Sequence, residues 1–243
     1  MAGGPGSVPL AGPGRAAELK GRQMDTELIL ADPHVTADFR NFVVRARAAD
    51  DGAVRLQAVG GVLAAYVCIL RPRILGEGIP TVLGLRTMPL AVPAEVDATV
   101  PLAAVGDRLA RMGGADTTLP VPPMTVRETW AGITAPRSGW EPAGSIPVQL
   151  LEQTAHRGIR EVAAMLPQSP GAAVVHSARA RVWAAPMGGT ATPVPAAAAF
   201  AALSLGFLPS GPDAAEAALF SNGRWLRLST PRGHVLTRSP AVL

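Results

Sequence analysis

The side chains with the clearest potential for chemistry are four tryptophans that each have an arginine within three residues. The pairs are Arg127/Trp130, Arg137/Trp140, Arg181/Trp183, and Trp225 between Arg224 and Arg227. A guanidinium stacked on an indole contributes about 1 kcal/mol. Protein hot spots use this combination, and single-stranded nucleic-acid sites use it to stack bases and contact phosphates. The alternative is structural, with buried indoles and arginine stems packed over their edges.

The C-terminal segment concentrates the positive charge of the chain. After Glu216 every ionisable side chain is a histidine or one of four arginines, and the formal net charge of the whole protein is +4. In a strand, Trp225 and Arg227 point to one face and the two neighbouring leucines to the other. If the leucines face the core, Trp225 is expected to be exposed beside Arg227. The sequence therefore predicts a basic binding surface formed by Arg224, Trp225, Arg227, Arg232 and Arg238.

A second candidate is the segment between Trp130 and Trp140. Its sequence, WAGITAPRSGW, contains Pro136 and Gly139 and predicts a loop. Loops bracketed by tryptophans often form the rims of pockets or interfaces, so Trp130, Arg137 and Trp140 join the predicted binding residues. The alternative is a loop held against the body of the protein by two buried indoles.

Catalytic and cofactor-binding motifs are missing from the sequence. It has no G-x-S-x-G, P-loop, C-x-x-C or H-E-x-x-H motif, and no G-x-G-x-x-G after a predicted strand. The histidines are too dispersed for a metal-ligand spacing; they are His34, His156, His176 and His234. We therefore predict neither a metal site nor a cofactor.

An enzyme with a dispersed active site stays open as an alternative. Glu152 and His156 are four residues apart on a predicted helix, a spacing at which the carboxylate could orient the imidazole as a general base. The competing interpretation is a solvated helix face laced with ion pairs. Carboxylates distant in sequence, such as Asp38, Asp107 and Glu128, could also converge with histidines in the fold. The sequence does not decide whether the protein is an enzyme.

Composition excludes several other classes of protein. The chain has 48% hydrophobic and 16% charged residues, which is typical of a globular protein. Its net charge is small for a sequence-independent nucleic-acid binder of 243 residues. Lys20 is the only lysine, so nearly all basic residues are arginines. A GC-rich bacterial genome produces this bias through its codons.

The expected location is the cytoplasm. Cys68 is the only cysteine, so the chain cannot form an internal disulfide, which suits a reducing compartment. The first residues lack the basic and apolar regions of a secretory signal. No apolar window reaches the roughly 20 residues that a membrane-spanning helix needs, so no membrane partner is expected.

The elements that would position these residues follow from hydrophobic periodicity and turn signals. Helices are predicted over about 36–48, 101–112, 146–166 and 196–205, and strands over 54–59, 62–70, 81–90, 125–133 and 174–183. Gly60-Gly61 is predicted as a hairpin turn. Asn222-Gly223 and Pro231-Arg232-Gly233 predict the two turns of a C-terminal three-stranded meander. Strands paired by hairpins favour an α+β fold, with a largely antiparallel sheet and helices on one face.

We predict a single α+β domain over residues 23–243. Residues 1–22, rich in glycine and proline, are predicted to be a disordered arm. Residues 113–123 have the composition of a linker and could divide the domain in two.

Three functional hypotheses follow. The first is a non-catalytic protein-interaction or adaptor module, including self-association, because catalytic motifs are missing and an Arg/Trp surface is predicted. The second is an enzyme with a dispersed active site. The third is weak nucleic-acid binding through the basic C-terminal hairpins, although the helix predicted before them, residues 196–205, has no basic residue. The sequence favours the first hypothesis, with a protein as partner.

Overall fold

The computed structural model of the protein describes Met1 and residues 26–74, 76–209 and 216–240. Apart from Met1, the predicted N-terminal arm lies outside the described residues. In chain order the elements are β1 (Glu27–Ile29), α1 (Pro33–Ala49), β2 (Ala53–Leu70), β3 (Thr81–Pro101), α2 (Leu102–Arg111), β4 (Thr118–Pro120), β5 (Glu141–Pro147), α3 (Val148–Met165), α4 (Ala172–Trp183), α5 (Ala196–Ser204), β6 (Glu216–Asn222), β7 (Trp225–Thr230) and β8 (Gly233–Arg238), with one 3₁₀ turn at Thr129–Gly132.

Six strands form one antiparallel sheet in the order β2-β3-β8-β7-β6-β5. A separate two-stranded sheet pairs β1 with β4. The strand that joins the two halves of the chain is β3, because its first residues pair with β8 while nearly its whole length pairs with β2. The predicted α+β fold, with a largely antiparallel sheet and a C-terminal three-stranded meander, is confirmed.

The helices pack on one face of this sheet, which we call the helix face, and the opposite side is the outer face. On α1, Phe39, Phe42, Val43 and Ala46 are buried, as the predicted stripe requires. Every residue of 196–202 in α5 is also buried, because the small alanine side chains let this helix lie close to α3 and to the sheet.

The two loops of the meander are both short. The first is Gly223-Arg224, one residue later than predicted, because Asn222 pairs with Trp225. Gly223 has a φ of +56°, which fits the hairpin class that places glycine at the first loop position. The second loop is Pro231-Arg232, within the predicted turn.

The prediction of a turn at Gly60-Gly61 is wrong. Here β2 continues along β3, and the pairing is irregular between Gly60 and Val62. Gly60 has a φ of +56°, so the glycine lies at an irregular point of the strand pairing instead of a chain reversal. Local sequence does not separate these two uses of glycine, because both need a residue that tolerates positive φ.

Two predicted strands are also wrong. Residues 174–183 lie in helix α4, where the indole of Trp183 stacks on Phe200 at 4.5 Å between centroids and packs on Gly158. Residues 125–133 form only the 3₁₀ turn and a short extended stretch, tied to the sheet by the Val126 N–H, which donates to the Thr99 carbonyl. In both segments tertiary contacts override the β-branched composition that suggested a strand.

The beginning of α3 and the linker-like segment differ in smaller ways. The helix predicted from residue 146 begins at Val148, because Ser145 to Pro147 belong to β5. Residues 113–123 contain β4, which pairs with β1. Whether the chain divides into two domains there stays a prediction. Within the described ranges, no helix is both long and apolar enough to cross a membrane.

Candidate interaction surface

The alternation of β7 orients its side chains as predicted. Leu228 is buried in the core of the helix face, and Leu226 packs against that core. Trp225 is in a second, smaller apolar cluster, so it lies on the outer face with its strand neighbour Arg227.

The expectation that Trp225 is exposed is wrong, since only 6% of its surface is accessible. Its cluster contains Leu83, Leu236 and Trp130, and Trp130 is itself 2% exposed. The segment containing Trp130 folds over the outer face of the sheet and covers the indole of Trp225. Strand periodicity identifies the face on which a residue lies, but it cannot show that a distant segment covers that face.

Arg227 has the most unusual surroundings on the outer face. Its guanidinium carbon lies 4.7 Å from the ring centroid of Trp140 and 4.6 Å from that of Phe220, so two aromatic rings contact one cation. The Nε atom is buried and has no hydrogen-bond partner among the described residues. Burial also lowers the pKa of the Arg227 guanidinium from its usual value. The result is a partly desolvated cation with no carboxylate beside it in the described part of the chain.

The arginine–tryptophan contact therefore joins residues far apart in the sequence. We expected Trp140 beside Arg137, but its ring contacts Arg227, and its Nε1 donates to the Pro136 carbonyl at 3.0 Å. Arg137 is exposed. Proximity in sequence did not predict this contact, because the pairing of neighbouring strands determines which guanidinium contacts which aromatic ring.

Hydrogen bonds hold the loop between Trp130 and Trp140 against the sheet at both ends. At the β6 end, the Asn222 side-chain amide donates to the carbonyls of Ser138 and Gly139 at 3.0 and 2.8 Å. At the β2 end, Arg55 donates to the Ala131 carbonyl at 2.7 Å and pairs with Asp97. The alternative of a loop attached by a buried indole is correct for Trp130, whereas Trp140 remains half-buried at the rim.

The four arginines of the meander do not form one surface. Arg224 donates to the Ser239 carbonyl and Arg238 is paired with Trp225 in the sheet, so both lie at the end of the meander with the first loop. Arg232 lies in the second loop, at the other end of β7, and it faces α1. Arg227 alone reaches the aromatic pair. The five meander residues proposed from sequence are thus separated, and their role in binding stays a prediction.

The centre of the outer face contains a histidine near Arg227. His234 Nδ1 lies 3.0 Å from the Ser229 hydroxyl. Burial lowers the pKa of His234, and the positive charges of Arg227 and Arg86 lower it further. The imidazole is therefore more readily neutral than a free histidine.

Three of the other residues considered for catalysis form side-chain pairs that are separate from one another. Asp38 pairs with Arg86, Glu128 with Arg71, and His176 with Glu77 at 2.8 Å. His176 lies on α4, not in a strand as predicted. Across the ranges that the structure describes, no group of three or more His, Cys, Asp or Glu side chains could hold a metal ion.

Comparison with protein families gives two adjacent matches. Residues 24–132 match a domain of unknown function (DUF8010), and residues 135–242 match a second domain of unknown function (DUF8185). The two matches meet in the loop between Trp130 and Trp140. No curated protein matches the sequence.

Solved structures show a distant likeness. A Eubacterium rectale protein described as a candidate DNA polymerase III beta subunit matches at 8% identity and a TM-score of 0.51, over 89% of this chain and 65% of that chain. The DNA polymerase III beta subunit of Pseudomonas aeruginosa matches at 12% identity and a TM-score of 0.48, over 90% and 65%. The DNA polymerase sliding clamp of Caulobacter crescentus matches at 10% and 0.47, over 90% and 66%. The chain thus spans just under two thirds of each of these proteins, and the likeness to the first shows the fold alone.

Proposed function

We propose that this chain is a non-catalytic protein-interaction module that binds its partner on the outer face of the sheet, at Arg227. The observation that supports the proposal is the guanidinium between Trp140 and Phe220, with a buried Nε that has no acceptor in the described residues. Arginine next to large aromatic side chains is the composition of protein hot spots.

The free energy of the Arg227 contacts favours a role in binding over a role in stabilising the fold. Leaving a buried donor without an acceptor costs about 1–3 kcal/mol, and each stacking contact returns about 0.5–1 kcal/mol. The two contributions nearly cancel, so the folded chain gains little from this residue. A carboxylate on a partner would provide the missing counter-charge, and the planar guanidinium can bind it through two parallel hydrogen bonds. We therefore expect an acidic residue at the centre of the partner's contact surface.

The fold is compatible with this function. The Eubacterium rectale protein that shares the fold is described as a candidate DNA polymerase III beta subunit. By analogy, the partner is another protein or a second copy of this chain.

The test compares two arginine-to-methionine variants. Methionine keeps an unbranched stem between the rings, so Arg227→Met should unfold within about 1 kcal/mol of wild type. Arg224→Met makes the same change of charge at an exposed loop position and is the matched control. A partner is captured with the wild-type chain from its native cells, identified, purified and titrated by calorimetry, and self-association is followed by sedimentation equilibrium.

We expect Arg227→Met to weaken the complex about 30-fold, which corresponds to the roughly 2 kcal/mol of a hot spot, while Arg224→Met changes it less than about threefold. Equal affinity of Arg227→Met and wild type for the purified partner would contradict the proposal. So would a strictly monomeric chain from which no stoichiometric partner can be purified.

Nucleic-acid binding is the second candidate, favoured by the description of the fold relative as a DNA polymerase subunit and by the exposed Arg224 and Arg232. It predicts binding to random duplex DNA that weakens steeply with salt. A triple Arg224/Arg227/Arg232 alanine variant should then lose both the binding and the salt dependence. Fluorescence anisotropy at two salt concentrations distinguishes this candidate from the first, because a protein contact centred on Arg227 needs no DNA.

A further inference from the structure

A cleft on the helix side of the sheet brings together three arginines from three separate elements. Arg45 extends from α1, Arg86 from β3 and Arg232 from the loop between β7 and β8. The cleft has a volume of about 290 Å³, close to the lower limit of the roughly 300–1,000 Å³ of small-molecule sites. It lies away from the Arg227 surface and is independent of the function proposed above.

Two aromatic rings from the core lie beside the cleft. Phe42 and Phe207 stack there, with centroids 6.0 Å apart and rings 7° from parallel. Gly206 ends α5 with a φ of +74°, and the Phe207 N–H donates back to the Ala202 carbonyl at 2.8 Å. This glycine also makes room for an arginine, since a Cβ at residue 206 would lie 2.9 Å from Arg45 Nε. The positive φ therefore favours glycine at this point, and the stem of Arg45 lies directly over it.

The positive charge of the cleft exceeds its negative charge. Asp38 is the one carboxylate among the described lining residues, and it pairs with Arg86 through its Oδ2 atom alone. Arg45 has no hydrogen bond or ion pair with any described residue, and Arg232 makes only a long 3.5 Å contact to the Leu208 carbonyl. Three guanidinium groups against one carboxylate leave an excess of two positive charges around the cavity.

The polar groups of the lining define the ligand more closely. Guanidinium groups match the geometry of phosphate oxygens. One of the three around this cavity is enough to neutralise the single carboxylate, so two remain to bind an anion. Asp38 Oδ1 accepts no hydrogen bond from the described residues, and the neighbouring Asn41 is exposed. An unused acceptor and an amide beside a cationic cluster suit a ligand that has hydroxyl groups next to its phosphate.

We infer that this cleft binds the phosphate group of a small hydroxylated molecule, such as a sugar phosphate or a nucleoside monophosphate. Arg45 and Arg232 contact the phosphate, and Arg86 is held in place for it by Asp38. Asp38 Oδ1 accepts a hydrogen bond from a ligand hydroxyl. The stacked phenylalanines are almost fully buried, so they support the cleft from the core and leave the arginines and Asp38 to contact the ligand.

The test titrates the full-length chain by calorimetry with inorganic phosphate, ribose 5-phosphate, ribose and a short random DNA duplex. Arg45→Ala and Arg232→Ala remove the two unpaired guanidinium groups, both at exposed positions where the fold should tolerate the change. Arg47→Ala is the control, because Arg47 is also on α1 but pairs with Asp51, and its loss changes the net charge equally. Asp38→Asn tests the hydroxyl contact.

We expect saturable binding of ribose 5-phosphate with a Kd below about 1 mM, weaker binding of inorganic phosphate and none of ribose. Arg45→Ala and Arg232→Ala should each weaken binding at least tenfold, and Arg47→Ala less than twofold. Asp38→Asn should weaken ribose 5-phosphate more than inorganic phosphate, because both probes are affected by the loss of the ion pair with Arg86 while only the sugar offers a hydroxyl.

Three outcomes would overturn the inference. One is the absence of saturable binding by either phosphate probe up to about 10 mM. Another is equal weakening by Arg47→Ala, which would mean that general electrostatic attraction explains the result. The third is preferential binding of the duplex, lost in Arg45→Ala and Arg232→Ala, which would make the occupant a nucleic-acid backbone and not a small molecule.

Discussion

The two faces of the six-stranded sheet share the same strands but are covered in different ways. The helix face is covered by regular helices whose apolar residues recur with the helical period, and its core is continuous across the molecule. The outer face has a smaller cluster around Trp130 and Trp225, covered by the irregular segment from about residue 126 to 140. An irregular cover relies on a few large side chains, and it leaves groups such as Arg227 and His234 partly accessible. The difference indicates that the helix face contributes most of the buried core, and it is consistent with the binding role proposed for the outer face.

The largest expected effect compares one phenylalanine from each face. Phe207 is 2% exposed and stacks on Phe42, so Phe207→Ala should lower the free energy of unfolding by about 3–5 kcal/mol. Phe220 on the outer face is only half-buried against Arg227, so Phe220→Ala should cost about 1–2 kcal/mol. Urea unfolding of both variants measures the difference. Equal losses of unfolding free energy in the two variants would mean that the two faces contribute equally to stability.

A second comparison uses two glycines in helices and tests how tightly the helices pack around each of them. At Gly158 a Cβ would lie 2.3 Å from the Trp183 ring, so Gly158→Ala should destabilise the protein by about 1–3 kcal/mol despite the better helix propensity of alanine. At Gly106 the nearest atom is the flexible end of Arg47, at 3.3 Å, so Gly106→Ala should stabilise by up to about 1 kcal/mol. Thermal unfolding by circular dichroism checks both signs. A stable Gly158→Ala variant would show that α3 and α4 are not tightly packed.

The smallest effect concerns pH and the outer face. Because the pKa of His234 is lowered in the folded chain, the unfolded chain binds the proton more readily. Stability that is fully present above the unfolded pKa of about 6.5 is therefore lost as the pH falls. Wild type should lose more stability than His234→Asn between neutral pH and about pH 5.5, since asparagine can replace the Nδ1 contact to Ser229 without titrating. Identical pH profiles would contradict a buried histidine at this position.

Local patterns predicted a large part of the fold. The buried stripe of α1, the alanine-rich α5 and the meander were all correct, because helical period and loop glycines act over a few residues. The strand predicted over 174–183 was wrong, because its burial comes from the contact of Trp183 with Gly158 and Phe200 and not from alternation. Turn signals were ambiguous at Gly60, where an irregular strand pairing and a chain reversal both use a glycine with positive φ.

The sequence predicted only part of the candidate site. Its members Trp140 and Arg227 were both named from sequence, but their contact spans 87 positions, and no local pattern indicates it. The arginine cleft was not found, because Arg45 and Arg86 lie in ordinary helix and strand positions. A sequence-level signal existed only for Arg232, through its turn.

By itself the sequence determined which residues alternate along β7, where the meander turns and that the segments of α1 and α5 are helical. These features depend on backbone preferences and on burial repeated every two or every three to four residues. The tertiary structure decided that Trp225 is covered, that Arg227 meets Trp140, and that three distant arginines surround one cavity. Such contacts depend on how separate elements pack in space, and the energy of bringing distant charges and rings together exists only once the whole chain has folded.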